Sequence, residues 1–203
     1  MKKRILCCIA TVTILALVLC SCGGAKSIVE DNAFTVTKGE IISQLQTDLA
    51  SRMSETMFGG EECECTAETT DSGLTHFSYS AGSDSVTYDK ITVAANSNSA
   101  AVEDGDIPDT VNITLACNSN NDDCSACVDN YYVVAGAFLH QIYPDKTVDE
   151  CEGMAEQMMK DATAAGGDLD GTMENDIPYK AMAYKMTING IGYLLTISIT
   201  PSN

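Results

Sequence analysis

The sequence predicts an α+β domain: an antiparallel β-sheet with about three helices packed on one face. Three observations carry this expectation. Thr37 with Glu40, and Thr147 with Glu150, form capping-box patterns, each opening a run whose apolar residues recur at helical spacing. Short runs rich in Thr, Val, Tyr and Ile, bounded by Gly, Ser or Asp, follow the first of these helices. Near the C-terminus, Asn189-Gly190 is the preferred two-residue turn of a β-hairpin and sits between two alternating segments.

Taken in order, Ala33 to Thr37 reads as a brief strand, and Ile41, Ile42, Leu45, Leu49 and Met53 as the apolar stripe of a helix ending near Gly59 and Gly60. Strands are expected at "CECTAETT", "LTHFSYSA" and "VTYDKITVAA", then a polar loop from Asn96 to Asp109. In "TVNITLAC", Val111, Ile113, Leu115 and Cys117 alternate onto one face, so Cys117 ends a core-facing strand. "VDNYYVVAGAFLHQIYP" is a buried helix stopped at Pro144. Cys151, Met154, Ala155, Met158 and Ala162 share one face of the next helix, and "TAAGGDLDGTMENDIP" is read as loop.

Counting outward from Asn189-Gly190 pairs Ile188 with Ile191, Met186 with Tyr193, Tyr184 with Leu195 and Met182 with Ile197, all on the core side. Lys185, Thr187, Thr196 and Ser198 fall on the solvent side. A capped helix, a Gly-containing loop and a hairpin thus occur twice, which reads as a helix-plus-hairpin pseudo-repeat with poor residue identity between its copies. That order resembles the architecture of the beta-lactamase inhibitor proteins and other saddle-shaped sheets with helices on one side, a likeness of arrangement that carries no function.

The N-terminus supplies the compartment. Lys2, Lys3 and Arg4 precede an apolar run from Ile5 to Leu19, followed by small residues, in the order of an export signal. The run is shorter than the about 20 apolar residues of a membrane span. Leu19, Cys20, Ser21 and Cys22 resemble the lipobox of bacterial lipoproteins; the resemblance covers the first 22 residues or so and implies that Cys22 carries the acyl chains and becomes the mature N-terminus. An ordinary cleaved signal is the alternative. The expected organisation is a signal peptide over 1–21, a lipidated tether over 22–32 and one globular domain over 33–203, held at the cell membrane and facing outside the cytoplasm.

Charge narrows the partners. The formal net charge of −18 includes the three basic residues of the signal, so the mature chain carries about −21. Phosphate backbones repel such a surface, which argues against a nucleic-acid partner. Anionic lipid repels it too, leaving anchoring in the bilayer to the acyl chains on Cys22. The acidity otherwise reads as solubility, or as a cationic or calcium-dependent partner.

Of ten cysteines, Cys63, Cys65, Cys117, Cys124, Cys127 and Cys151 remain after the signal and the lipid site. An even number in an exported domain points to disulfides, with Cys151 placed to tie its helix to the 117–127 loop or the sheet. Two rival readings exist. Cys63 and Cys65 with Cys124 and Cys127 are four thiolates for zinc, which leaves Cys117 and Cys151 over. The pair Cys124 and Cys127 before a helix suits a thiol-disulfide oxidoreductase, although Asp122 and Asp123 disfavour a thiolate there.

Other chemistry is sparse. His76 is expected to face solvent and His140 lies in the Pro-terminated helix; neither accompanies a nucleophile motif. "GDLDG" lacks the ligands of a calcium loop and reads as an acidic turn. No catalytic, cofactor or metal residue is assigned. The functional expectation is a non-catalytic envelope module that binds a protein or small ligand, first through the exposed sheet face and second through the Asn96 to Asp109 loop. The oxidoreductase is its rival.

Overall fold

The computed structural model describes residues 26–50, 63–69, 75–81, 88–97, 106–119, 125–186 and 191–201, with the backbone alone for 63–69 and 75–81. A small hairpin comes first, β1 (Val29–Glu30) with β2 (Ala33–Phe34), then helix α1 (Lys38–Ala50). Four strands follow: β3 (Cys63–Thr69), β4 (Thr75–Ala81), β5 (Tyr88–Asn96) and β6 (Thr110–Ser119). Helices α2 (Ser125–Ile142) and α3 (Val148–Ala164) lead into β7 (Asp168–Thr172), β8 (Pro178–Met186) and β9 (Ile191–Ile199). The class is α+β, as expected.

Strands β3 to β9 form one antiparallel sheet in the order β3-β4-β5-β6-β9-β8-β7. Each half of the chain is a capped helix followed by a meander, and the last strands of the two meanders, β6 and β9, meet at the centre. The expected helix-plus-hairpin order recurs only in this outline, with four strands against three and with α2 between the halves. Its helix starts repeat in detail. The Thr37 amide and hydroxyl each donate to Glu40 Oε2 at 2.9 Å, and the Glu40 amide donates back to Thr37 Oγ1 at 3.3 Å. At Thr147 and Glu150 the same three bonds measure 2.7, 2.9 and 3.2 Å. Ile41, Leu45 and Leu49 are buried on α1, and Cys151, Ala155 and Met159 occupy the matching turns of α3.

The helices lie on one face of the sheet. Helix α1 covers β4 and β5, α2 covers β6, and α3 covers β7, β8 and β9. Val111, Ile113, Leu115 and Cys117 are fully buried against them, as their alternation implied. Helix α2 is the centre of the core: Tyr131, Val134, Ala135, Phe138 and Leu139 are fully buried, and Tyr131 donates to the Ile113 carbonyl at 3.3 Å.

Three expectations are corrected. First, β8 is paired one residue away from the turn-based register: Met182 faces Thr196, Tyr184 faces Leu194 and Met186 faces Gly192. A one-residue slip moves a strand's side chains to the opposite face. Ala181 and Ala183 therefore point to α3, and Tyr184 points away. Lys185 moves to the helix side, with its ammonium 6.0 Å from the Tyr193 ring. The small alanines admit α3 to the sheet where Met182 and Tyr184 could not. Asn189-Gly190 itself lies outside the described residues.

Second, the segment read as an acidic loop contains β7, whose Asp168 and Asp170 alternate outward along a sheet edge. Its start depends on Gly167 at φ 118°, whose carbonyl accepts the Ala183 amide at 2.8 Å. Third, the chain joins the fold before Asn32. Ser27 donates its hydroxyl to the Ile142 carbonyl at 2.6 Å, and the Ile28 amide donates to Gln141 at 3.0 Å.

Candidate functional site

Among the described residues, no helix covers the opposite face of the sheet, and its central band has an unusual composition. The outward side chains are Lys90, Thr92, Ala94 and Asn96 on β5, Thr110, Asn112, Thr114 and Ala116 on β6, and Leu194, Thr196 and Ser198 on β9. In a chain with 29 Asp and Glu, not one of these eleven positions is acidic. Carboxylates return at the edge, at Asp168 and Asp170 of β7. Seven of the eleven, Thr92, Asn96, Thr110, Asn112, Thr114, Thr196 and Ser198, carry groups that both donate and accept hydrogen bonds.

Thr92, Thr114 and Thr196 stand in one row across β5, β6 and β9, spaced by roughly 4.8 Å, the distance between strands. Thr114 and Thr196 hydroxyls are 3.3 Å apart, and Thr110 bonds Thr200 at 3.0 Å. Thr196 is only 6% exposed, so its neighbours close over it and hold the row in place.

Tyr184 borders this band. It lies in the row of Leu194, Ala116 and Lys90 and is 38% exposed, an uncommon value for a large side chain of this fold. Its hydroxyl donates to Asp168, and that bond, more than burial, raises the phenol above its ordinary pKa. The edge of the ring lies where a side chain at position 167 would be, so Gly167 makes room for it. Tyr184 was expected in the core; only the observed register shows it to be part of the open face.

A second concavity, of about 250 Å³, lies between two turns and is lined by Val29, Asp31, Asn32, Asn175 and Ile177. Asp31, Asn32, Asn175 and Asp176 all have positive φ, a region that Asn and Asp enter more readily than other non-glycine residues. Both turns are pinned to the end of α2 or just beyond it, the first through Ser27 and Ile28, the second by the Tyr143 hydroxyl on the Glu174 carbonyl at 2.7 Å. Its volume falls below the usual range of ligand pockets.

The cysteines are not gathered into a site among the described side chains. Cys117 is disulfide-bonded to a partner outside them. Cys127 is buried, and Cys151 is a buried thiol rather than a cystine half, which corrects the expectation that Cys151 bridges its helix to the sheet or loop. They start two antiparallel helices, and Gly136 of α2 faces Glu152, so Cys127 lies about 15 Å along α2 from the level of Cys151. Burial pushes the Cys151 thiol up to about 11, with Lys146 opposing and Glu150, Asp145 and Glu152 reinforcing the shift. Cys22, Cys124 and the side chains of Cys63, Cys65 and His76 lie outside the described set, as does 98–105 of the polar loop. His140 is described: its Nδ1 is buried without a hydrogen-bond partner.

Among the described residues, no helix is long and apolar enough to cross a membrane, and no three His, Cys, Asp or Glu side chains group as metal ligands. Comparison with known proteins found no matching family model, curated protein or solved structure.

Proposed function

We propose that this chain is a lipoprotein anchored through Cys22 outside the cytoplasm, whose single domain is non-catalytic and binds a partner through the open face of its sheet. The observation that carries the reading is the carboxylate-free band across β5, β6 and β9. A surface kept only for solubility in so acidic a chain has no reason to exclude acids from one region. A rigid sheet backed by three helices is also a suitable platform, because side chains on regular elements lose little freedom on binding.

Two measurements test this. Palmitate labelling of the cells should mark the full chain and not Cys22→Ser. A photo-crosslinking residue placed at Thr114 should capture a discrete species that the same residue at Gln157, on the outer surface of α3, does not. Equal capture from both positions, or capture from Gln157 alone, removes the open face as the binding surface.

A further inference from the structure

We propose that the occupant of the open face is a neutral glycan strand, with one sugar ring seated on Tyr184. The inference rests on the reading of that face as the binding surface and adds the chemistry of its partner.

Charge selects first. A cationic partner would gain most from carboxylates, and the band between β5 and β9 has none, while its only described charge is Lys90. A polyanion would meet Lys90 there and, on the neighbouring β8, Lys180, which stands opposite Asp170 of the acidic edge, on a chain of strongly negative net charge. What remains is an uncharged partner.

The hydrogen-bonding groups select next. The protein partners of stable interfaces meet a desolvated centre rich in aromatic and aliphatic side chains. Here the centre carries the hydroxyls of Thr92 and Thr114, backed by the buried Thr196, next to a row containing Asn112 and Ser198. Hydroxyls and amides arrayed at strand spacing match a polymer that offers hydroxyls and amides at a similar repeat.

Tyr184 supplies the apolar element that such a polymer needs. A sugar ring has a C–H face that packs on an aromatic ring while its edges hydrogen-bond, and tyrosine suits a site with one apolar and one wet side. The Asp168 bond holds the ring before binding, so little side-chain freedom is lost on contact. Leu194 and Ala116, its neighbours in the same row, extend the apolar patch over the width of about one ring before the hydroxyl row begins.

The test uses the full chain in detergent, titrated with neutral hexasaccharides (maltohexaose, cellohexaose, mannohexaose and chitohexaose), with oligogalacturonate and with hexalysine. At least one neutral hexasaccharide should bind saturably, with an affinity unchanged by added salt. Tyr184→Ala should weaken it by about tenfold, and Tyr184→Phe, which keeps the ring but not the Asp168 bond, by about threefold. Thr114→Arg should obstruct the row and abolish binding, with thermal melting confirming that each variant is folded.

No saturable binding of any neutral hexasaccharide up to about 10 mM overturns the glycan. So does a preference for oligogalacturonate or hexalysine that fades with salt, or sugar binding indifferent to both Tyr184→Ala and Thr114→Arg. Crosslinking from Thr114 separates the two failures: a discrete captured species keeps the open face as a binding surface even where the sugars fail, and its loss removes both.

Discussion

Gly136 of α2 faces the backbone of Glu152 on α3 so closely that a Cβ at 136 would stand 2.8 Å from the Glu152 nitrogen and 2.9 Å from its Cα. These obstacles are main-chain atoms, so the helices must separate to admit even a methyl group. Gly136→Ala is therefore expected to destabilise the domain by about 1–3 kcal/mol, the usual range for overpacking. Gly153, one residue beyond Glu152, is exposed with nothing within 4 Å of its Cβ direction. Gly153→Ala should instead stabilise by roughly 0.5–1 kcal/mol through helix propensity and a less free unfolded chain. Opposite shifts of the urea midpoint for two identical chemical changes would confirm the close crossing; equal shifts would refute it.

The paired caps give the two halves of the molecule a common response to acid. Both Glu40 and Glu150 are held below the ordinary carboxyl value, first by the amide and then by the hydroxyl of their Thr partners. A depressed folded pKa means stability that is present above the unfolded value of 4.5 and lost as the pH falls below it. Helix content and stability should decline together in that window. Thr147→Ala should cost about 1 kcal/mol at neutral pH. Glu150→Gln should flatten the acid limb, which a pH series of thermal melts monitored by circular dichroism would show.

At the alkaline end the sign reverses. The Cys151 thiol ionises near 9.0 in the unfolded chain and near about 11 in the folded one, because burial disfavours the thiolate. Its contribution is complete below pH 9 and disappears as the pH rises towards 11; Tyr143, raised to about 12 by burial, adds to the same limb. The thiol should resist a disulfide exchange reagent at pH 8 in the native protein and react once urea unfolds it. Rapid native labelling at Cys151, located by peptide mapping, would mean that the start of α3 opens to solvent.

What was legible in the sequence was local. The capping boxes join residues three apart and appear in the structure bond for bond. The alternation of β6 needed only one buried face to be read. The hairpin turn was local too, yet it misled: Asn189-Gly190 implied one pairing of β8, whereas the observed register differs by one residue and places Ala181 and Ala183 beneath α3. That choice is made by the packing of a helix some twenty residues earlier, which no turn motif encodes. Tyr184 was missed for the same reason. The concavity at Asp31 and Asn175 joins turns from opposite ends of the chain and had no linear signature at all.

Lys38 and Asp106 provide a final test, because their burial is unequal. Lys38 stands in the first turn of α1, where a cation opposes the helix dipole, and its side chain is fully buried. Its ammonium lies 3.7 Å from the Asp106 carboxylate, and its amide donates to the Asp106 carbonyl at 2.9 Å. Asp106→Ala keeps that backbone bond but takes a carboxylate from a buried cation, at an expected cost of about 3 kcal/mol. Lys38→Met removes the buried charge, fills the same space, and leaves Asp106 with 23% of its side chain in water, so it should cost less than about 1 kcal/mol. In a double-mutant cycle, adding Asp106→Ala to Lys38→Met should then do little further harm. If Asp106→Ala is as harmful with methionine at position 38 as with lysine, the carboxylate serves the backbone of the 106–109 segment and not the ammonium.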